Sequence, residues 1–176
     1  MSFHILSGAP GAGKTAMLRG LELAGCQVVE EAATDVIAWR QANGCLEPWT
    51  QPDFIDAILE LQVRRQIAAD RLDGAVFLDR SPVCTLALSR FLGLSPSARL
   101  IQETAPDRLQ SLYRRQVLFA RGLGFITPTP ARRISLEEAE RFDTVHRQTY
   151  EELGFKLLDV PAGSAADRVS QVLALI

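Results

Sequence analysis

The sequence predicts an α/β layered fold built on a mostly parallel sheet, and three observations lead there. Segments that read as buried strands alternate with segments of helical periodicity along the chain, the pattern of successive strand–helix–strand units. The 176 residues fit one domain, long enough to bury a substantial core without staples. The apolar first strand also runs straight into Gly8-Ala9-Pro10-Gly11-Ala12-Gly13-Lys14-Thr15, a glycine-rich turn set between a strand and a helix.

In chain order, the first strand is Phe3–Ser7 and the first helix runs from about Lys14 to Leu23, with Ala16, Met17, Leu18 and Leu21 in its amphipathic run. Gly25 closes that helix, and residues 26–30 form a short second strand. A helix over about 34–42 stops at Asn43-Gly44. The polar loop 47–52 precedes a long helix in which Phe54, Ile58, Leu61, Ala68 and Leu72 share one face and Gly74 marks the end. Residues 75–79 are the clearest buried strand. Ser81-Pro82 opens the next helix with a cap residue and a proline in its first turn, and Gly93 ends it. Ser95-Pro96 starts another helical stretch, which Pro106 divides in two. Residues 116–120 form a fourth strand, and the Gly/Pro/Thr-rich stretch 122–133 reads as irregular. Ser135-Leu136-Glu137-Glu138 is a capping box, with Ile134 and Ala139 placed as a hydrophobic staple, and the helix it opens ends at Gly154. A fifth strand over 155–160 and a helix over about 165–175 complete the chain. No internal repeat, linker or low-complexity segment interrupts this order.

Bulk composition narrows the class. A hydrophobic share of 47% with 23% charged residues is ordinary for a soluble globular chain. A formal net charge of −2 provides no basic footprint, so no nucleic-acid partner is expected. Cys26, Cys45 and Cys84 are widely spaced and odd in number, which reads as reduced thiols and not a disulfide or zinc framework. No basic leader precedes an apolar stretch and no run approaches a membrane span, so the cytoplasm is the expected location.

The turn at residues 8–15 satisfies the full Gly-x-x-x-x-Gly-Lys-Ser/Thr pattern in its strand–turn–helix context. Backbone N–H groups in such a loop form an anion-binding concavity, reinforced by the positive end of the following helix. Lys14 can reach the outer phosphates and the Thr15 hydroxyl can ligate Mg²⁺. The expectation is a nucleoside triphosphate, with ATP first and GTP as the alternative.

Ligands of open parallel sheets sit beyond the carboxyl ends of the strands. There stand the phosphate loop, Glu30-Glu31, Asp79-Arg80-Ser81, Arg121 and Pro161-Ala162-Gly163. Asp79 holds the position of a Mg²⁺-associated carboxylate, with Thr15 as its partner at the metal. Arg80 projects as a clamp on a phosphate or hydroxyl. Glu30 and Glu31 point to opposite faces, so one of them can enter the cleft as a general base; spacing alone does not choose between them. Arg132 and Arg133, at the end of the irregular stretch, can close over transferring phosphates. Arg121 is a weaker candidate for the same task. His4 and His146 read as structural, and Trp39 and Trp49 as packing residues.

Gly8 to Thr15, Val28-Val29-Glu30-Glu31-Ala32-Ala33, Asp79-Arg80-Ser81-Pro82 and Ala131-Arg132-Arg133-Ile134 together resemble a group of small P-loop ATPases, AAA-like in naming and kinase-like in layout, over essentially the whole chain. The layout is also similar to nucleoside and nucleotide kinases, including nicotinamide riboside kinase domains. The resemblance implies a three-layer P-loop NTPase fold with a five-stranded parallel sheet in the order 2-3-1-4-5, and a lid at about 122–134. It implies a glutamate after strand two as base, matched by Glu30 or Glu31. It also implies an acidic-Arg-Ser motif after strand three that holds the substrate, matched by Asp79-Arg80-Ser81. The loop after strand five, here Val160, Pro161 and Ala162, would cradle the adenine. The lid is shorter and poorer in arginine than in many nucleotide kinases, and no Asn-Lys-x-Asp guanine motif is present.

The combined expectation is one domain over 1–176. It binds ATP through residues 8–16 and, with Mg²⁺, phosphorylates a small metabolite such as a nucleoside or nucleotide. The alternative is a nucleotide-binding switch that signals to a protein or lipid partner, and a further rival is an ATPase working on DNA or a protein machine.

Overall fold

The computed structural model describes residues 3–123 and 135–176. The expected lid beyond Leu123, with Arg132, Arg133 and the staple residue Ile134, lies outside them. Five strands form one parallel sheet in the order β2-β3-β1-β4-β5. They are β1 (Phe3–Ser7), β2 (Gln27–Val29), β3 (Val76–Asp79), β4 (Tyr113–Ala120) and β5 (Lys156–Val160). The helices are α1 (Lys14–Leu23), α2 (Ala32–Ala42), α3 (Phe54–Ala69), α4 (Pro82–Phe91), α5 (Ala98–Glu103), α6 (Pro106–Leu112), α7 (Leu136–Glu152) and α8 (Ala165–Ala174).

Central strands covered on both faces need apolar side chains in both directions, which is why β1 and β3 are buried at every position. Alternation then sorts them. Leu6, Phe77 and Leu118 meet Met17, Leu18 and Leu21 of α1 and Val172 of α8 on one face. Ile5, Leu78, Val117 and Phe119 meet Val83 of α4 and Tyr150 of α7 on the other. A third cluster joins Ile37 of α2, Phe54, Ile58 and Leu59 of α3, Leu86 of α4 and Leu100 of α5. It forms a helical wall beside the sheet.

Several boundaries differ from the sequence expectation, each for a local reason. Helix α2 begins at Ala32 and not Thr34, because Glu31 takes the extended backbone of an N-cap (φ −60°, ψ 130°). Strand β2 is only three residues long. Strand β4 begins at Tyr113, paired with Phe3, although Arg114, Arg115 and Gln116 are exposed and mask the strand in the sequence. Helix α5 starts after Ser97, whose hydroxyl accepts from Leu100 N–H, so Ser95-Pro96 lies outside it. The capping box forms as read: Ser135 N–H donates to Glu138 Oε2 at 2.8 Å and Glu138 N–H to Ser135 Oγ at 3.1 Å.

Gly8 shows how closely the loop is built against the sheet. Its φ is +132°, and a Cβ there would lie 2.3 Å from the Ala120 carbonyl oxygen, a backbone atom at the end of β4. Gly8→Ala is therefore expected to destabilise by about 2–4 kcal/mol in urea unfolding. Gly74→Ala serves as the reference. Its φ is +86° but an added Cβ meets nothing within 4 Å, so it should lose only the left-handed strain, about 1 kcal/mol.

Candidate functional site

The site forms at the carboxyl ends of β1, β2 and β3. Gly13 caps α1 in the left-handed region (φ 76°) and so turns the chain from loop into helix. The next residue, Lys14, is buried, and its Nζ donates to the carbonyls of Gly8 and Ala9, both at 3.1 Å. Burial first and Arg80 second draw its pKa down to about 8, against the pull of Asp79 and Glu31.

Asp79 ends β3 with 6% of its surface exposed. Its Oδ1 is buried with no hydrogen-bond partner. Burial, assisted by Glu31 and Glu30, lifts this carboxyl to about 6 although Lys14 and Arg80 oppose it. Arg80 follows with φ +75°, the one positive φ at a non-glycine among the described residues. Its N–H donates to Leu6 O at 2.9 Å, so the turn is tied to β1. A side chain held in this conformation costs about 1–3 kcal/mol, of the kind found at functional sites.

The turn brings the Arg80 guanidinium onto the carboxylate of Glu31, and the two form an ion pair. Glu31 also accepts from Thr34 Oγ1 at 2.7 Å, and its carbonyl accepts from Arg65 Nη1 at 2.9 Å. Burial alone would raise the Glu31 pKa. Arg80, Lys14 and the hydrogen bonds outweigh it and hold the group at about 2. Glu30 turns the other way: its carboxylate is exposed and pairs with Arg19 on α1. Of the two adjacent glutamates only Glu31 lines the cleft, and Glu30 drops out as a base candidate.

The cleft has a volume of about 1090 Å³. Pro10, Gly11, Gly13, Lys14 and Thr15 line its phosphate-loop end, next to Glu31, Asp79 and Arg80. Ile37, Phe54, Ile58, Leu88, Phe91 and Phe142 provide apolar walls, and Gln41, Glu47, Trp49, Gln62, Thr85 and Glu138 are among the further polar and aromatic lining residues. Gln62 is pinned: its Nε2 donates to Ser81 O at 3.3 Å and its Oε1 accepts from Thr85 Oγ1 at 2.6 Å. Gln62 is absent from the candidates drawn from the sequence. Its signal there is slight, a polar side chain one turn after Ile58 on the apolar face of α3. The tryptophans separate. Trp49 packs against the helical wall and lines the cleft, whereas Trp39 is 71% exposed and does not pack as expected.

Behind the phosphate loop lies a buried polar network. Ser7 Oγ is 3.3 Å from Cys84 Sγ, and the Tyr150 hydroxyl is 3.0 Å from Cys84 Sγ and 2.9 Å from Ser81 Oγ. His146 stacks on Phe142 at 4.8 Å, and burial, with Arg80 and Lys14, drives its pKa well below the ordinary value. Arg121 sits beyond the end of β4 and lies 3.8 Å from Asp159 of β5, outside the cleft lining. Pro161 and Ala162 are exposed in the loop after β5 and also stand outside that lining.

No group of three or more His, Cys, Asp or Glu gathers into a metal cage among the described residues. Magnesium needs none, since it takes one or two protein oxygens together with phosphate oxygens and water. The orphaned Asp79 oxygen and the Thr15 hydroxyl, both on the cleft, fit that requirement.

Between the ordinary value of 3.8 and about 6 the folded chain retains a proton on Asp79 that the unfolded chain has lost. Stability therefore falls as pH rises through this window, and the cost is full above it. Asp79→Asn should raise the stability of the ligand-free protein at pH 8 by about 2–3 kcal/mol and change it little at pH 4, measured by urea unfolding at both.

A phosphate-type loop at the carboxyl edge of a 2-3-1-4-5 parallel sheet, opening on a cleft closed by helices, defines a small P-loop NTPase of nucleoside-kinase-like fold. A family model described as an AAA domain matches residues 3–168, and the chain belongs to that family. Among solved structures, deoxyadenosine kinase from M. mycoides with bound dATP is similar with a TM-score of 0.61 and 15% identity, covering 99% of this chain and 98% of the kinase. The same enzyme with products dCMP and a flexible dCDP bound gives a TM-score of 0.61 and 13% identity, covering 98% of each chain. At such identities the likeness is one of fold. No curated protein matches the chain. Among the described residues, no helix is long and apolar enough to cross a membrane.

Proposed function

We propose that the protein transfers the γ-phosphoryl group of ATP to a hydroxyl of a small metabolite, with a nucleoside as the acceptor. The observation that carries this reading is the Glu31–Arg80 pair, set at the junction between the phosphate loop and an apolar-walled cleft large enough for a nucleoside. A protein that only binds or hydrolyses a nucleotide needs no such second compartment. Backbone N–H groups of the phosphate loop and the Lys14 amine hold the phosphates, and Arg80 orients the acceptor. Glu31 accepts the proton of the acceptor hydroxyl while that oxygen bonds to the γ-phosphorus, the bond to the β,γ-bridging oxygen breaks and ADP departs. With a carboxylate of low pKa, the proton moves late, in keeping with a loose phosphoryl transition state. Thr15 and Asp79 would hold Mg²⁺, which neutralises charge on the phosphates when bound. Fold likeness to a deoxyadenosine kinase supports the assignment.

Charge favours a nucleoside over a nucleotide as acceptor. Among the described lining residues the cations are Lys14 and Arg80, and Arg80 is already paired, whereas Glu31, Glu47, Asp79 and Glu138 are acidic. Among those described residues a phosphomonoester would find no spare cation. A coupled ADP-release assay with Mg-ATP or Mg-GTP and a panel of nucleosides and nucleoside monophosphates tests this. ADP formation should depend on a nucleoside. Turnover indifferent to every acceptor would overturn the proposal and fit a hydrolytic switch.

A further inference from the structure

Arg168 is the least expected buried residue of the chain. It sits on α8 with 2% of its surface exposed. Its Nη1 donates to Ala12 O at 2.7 Å and its Nη2 to Arg121 O at 3.3 Å. Its Nε is buried with no partner. Among the described residues no carboxylate pairs with it, and burial draws its pKa down. An unpaired buried guanidinium is expensive for a folded chain, and anchoring a terminal helix does not require one.

Peptide geometry indicates what it does. The Ala12–Gly13 peptide is planar and trans, so its C=O and N–H point in opposite directions. Gly13 lines the cleft, and a Cβ on it would lie 2.9 Å from Arg168 Nη1, so the guanidinium closes directly on this peptide. We propose that Arg168 is a positioning residue of the phosphate loop: by gripping the Ala12 carbonyl from outside, it turns the Gly13 N–H toward the bound polyphosphate and polarises it as a donor. A cation on the carbonyl strengthens the opposite N–H through hydrogen-bond cooperativity. The anion that balances the buried charge is then the ligand, reached through one peptide unit. This inference rests on the nucleotide-binding reading above.

The test compares wild type with Arg168→Gln and Arg168→Lys, using Mg-ATP titration by calorimetry, the Gly13 amide resonance by NMR, and thermal unfolding. Arg168→Gln should weaken Mg-ATP binding by about tenfold or more. It should also move the Gly13 amide upfield and leave the acceptor KM unchanged, while Arg168→Lys recovers part of the affinity. A folded Arg168→Gln protein with wild-type affinity and an unmoved Gly13 resonance would overturn the inference and leave the proposed function standing. Should that variant not fold, the wild type decides. Mg-ADP should shift both the Gly13 amide and the Arg168 Nε–H resonances, and resonances that stay in place under saturating Mg-ADP sink the idea. A wild type that binds no Mg-ATP overturns both readings.

Discussion

Glu31→Gln is expected to lower kcat for acceptor phosphorylation by about 10²–10⁴-fold, without weakening Mg-ATP binding. The substitution keeps the shape of the side chain and its capacity to meet Thr34 and Arg80, but removes the charge proposed to accept the hydroxyl proton. Because Glu31 is held at about 2, wild-type activity should not fall through loss of this base until the medium is far more acidic than the ordinary carboxylate range. The variant also leaves the Arg80 guanidinium, with only 9% of its side chain exposed, without its anion. Glu31 itself keeps 22% of its side chain in contact with solvent, so the stability loss should be modest, about 1–3 kcal/mol. Single-turnover kinetics with saturating ATP separate the chemical effect from binding, and calorimetry verifies that ATP affinity is retained. A variant with full kcat would remove Glu31 from the reaction.

The second large effect is at Lys14. Lys14→Met should reduce kcat/KM by about 10²–10³-fold or more, since Lys14, itself buried, is proposed to neutralise the charge that develops on the phosphates. It should also alter the pH dependence of stability in a defined direction. Lys14 is lowered from 10.5 to about 8, so between those values the folded chain has released a proton that the unfolded chain still binds. Wild-type stability therefore rises with pH across this window. Replacing the amine by a thioether removes the rise. Urea unfolding of ligand-free protein at several pH values from about 7.5 to 10.5 follows it, and an unchanged slope in the variant would assign the titration to another group.

Local chemistry made much of this architecture legible in the sequence. The phosphate loop was readable because its glycines, lysine and threonine occur at contiguous positions between a strand and a helix. The capping box at Ser135 was readable for the same reason. Strand β4 was partly hidden, because Arg114, Arg115 and Gln116 face solvent where the pairing with β1 is irregular, and so lack the apolar signature of residues 117–120. Adjacency showed that Glu30 and Glu31 face opposite ways but not which one faces inward. Arg80, 49 residues along the chain, makes that choice, with Arg19 holding the other carboxylate outside. Gln62 and Arg168 belong to the same class of tertiary information. The contact from Arg168 to Ala12 spans 156 residues of sequence, and no local pattern announces it.

The proposed function turns on transfer of the terminal phosphoryl group to a hydroxylated acceptor seated in the cleft beside the phosphate loop. Its most direct test is a single-turnover reaction with ATP labelled at the γ-phosphate, magnesium and a panel of nucleosides, with the products separated. The expected result is label on a nucleoside monophosphate, lost in Glu31→Gln and Lys14→Met. Label released only as inorganic phosphate, at a rate indifferent to every nucleoside, would contradict the account.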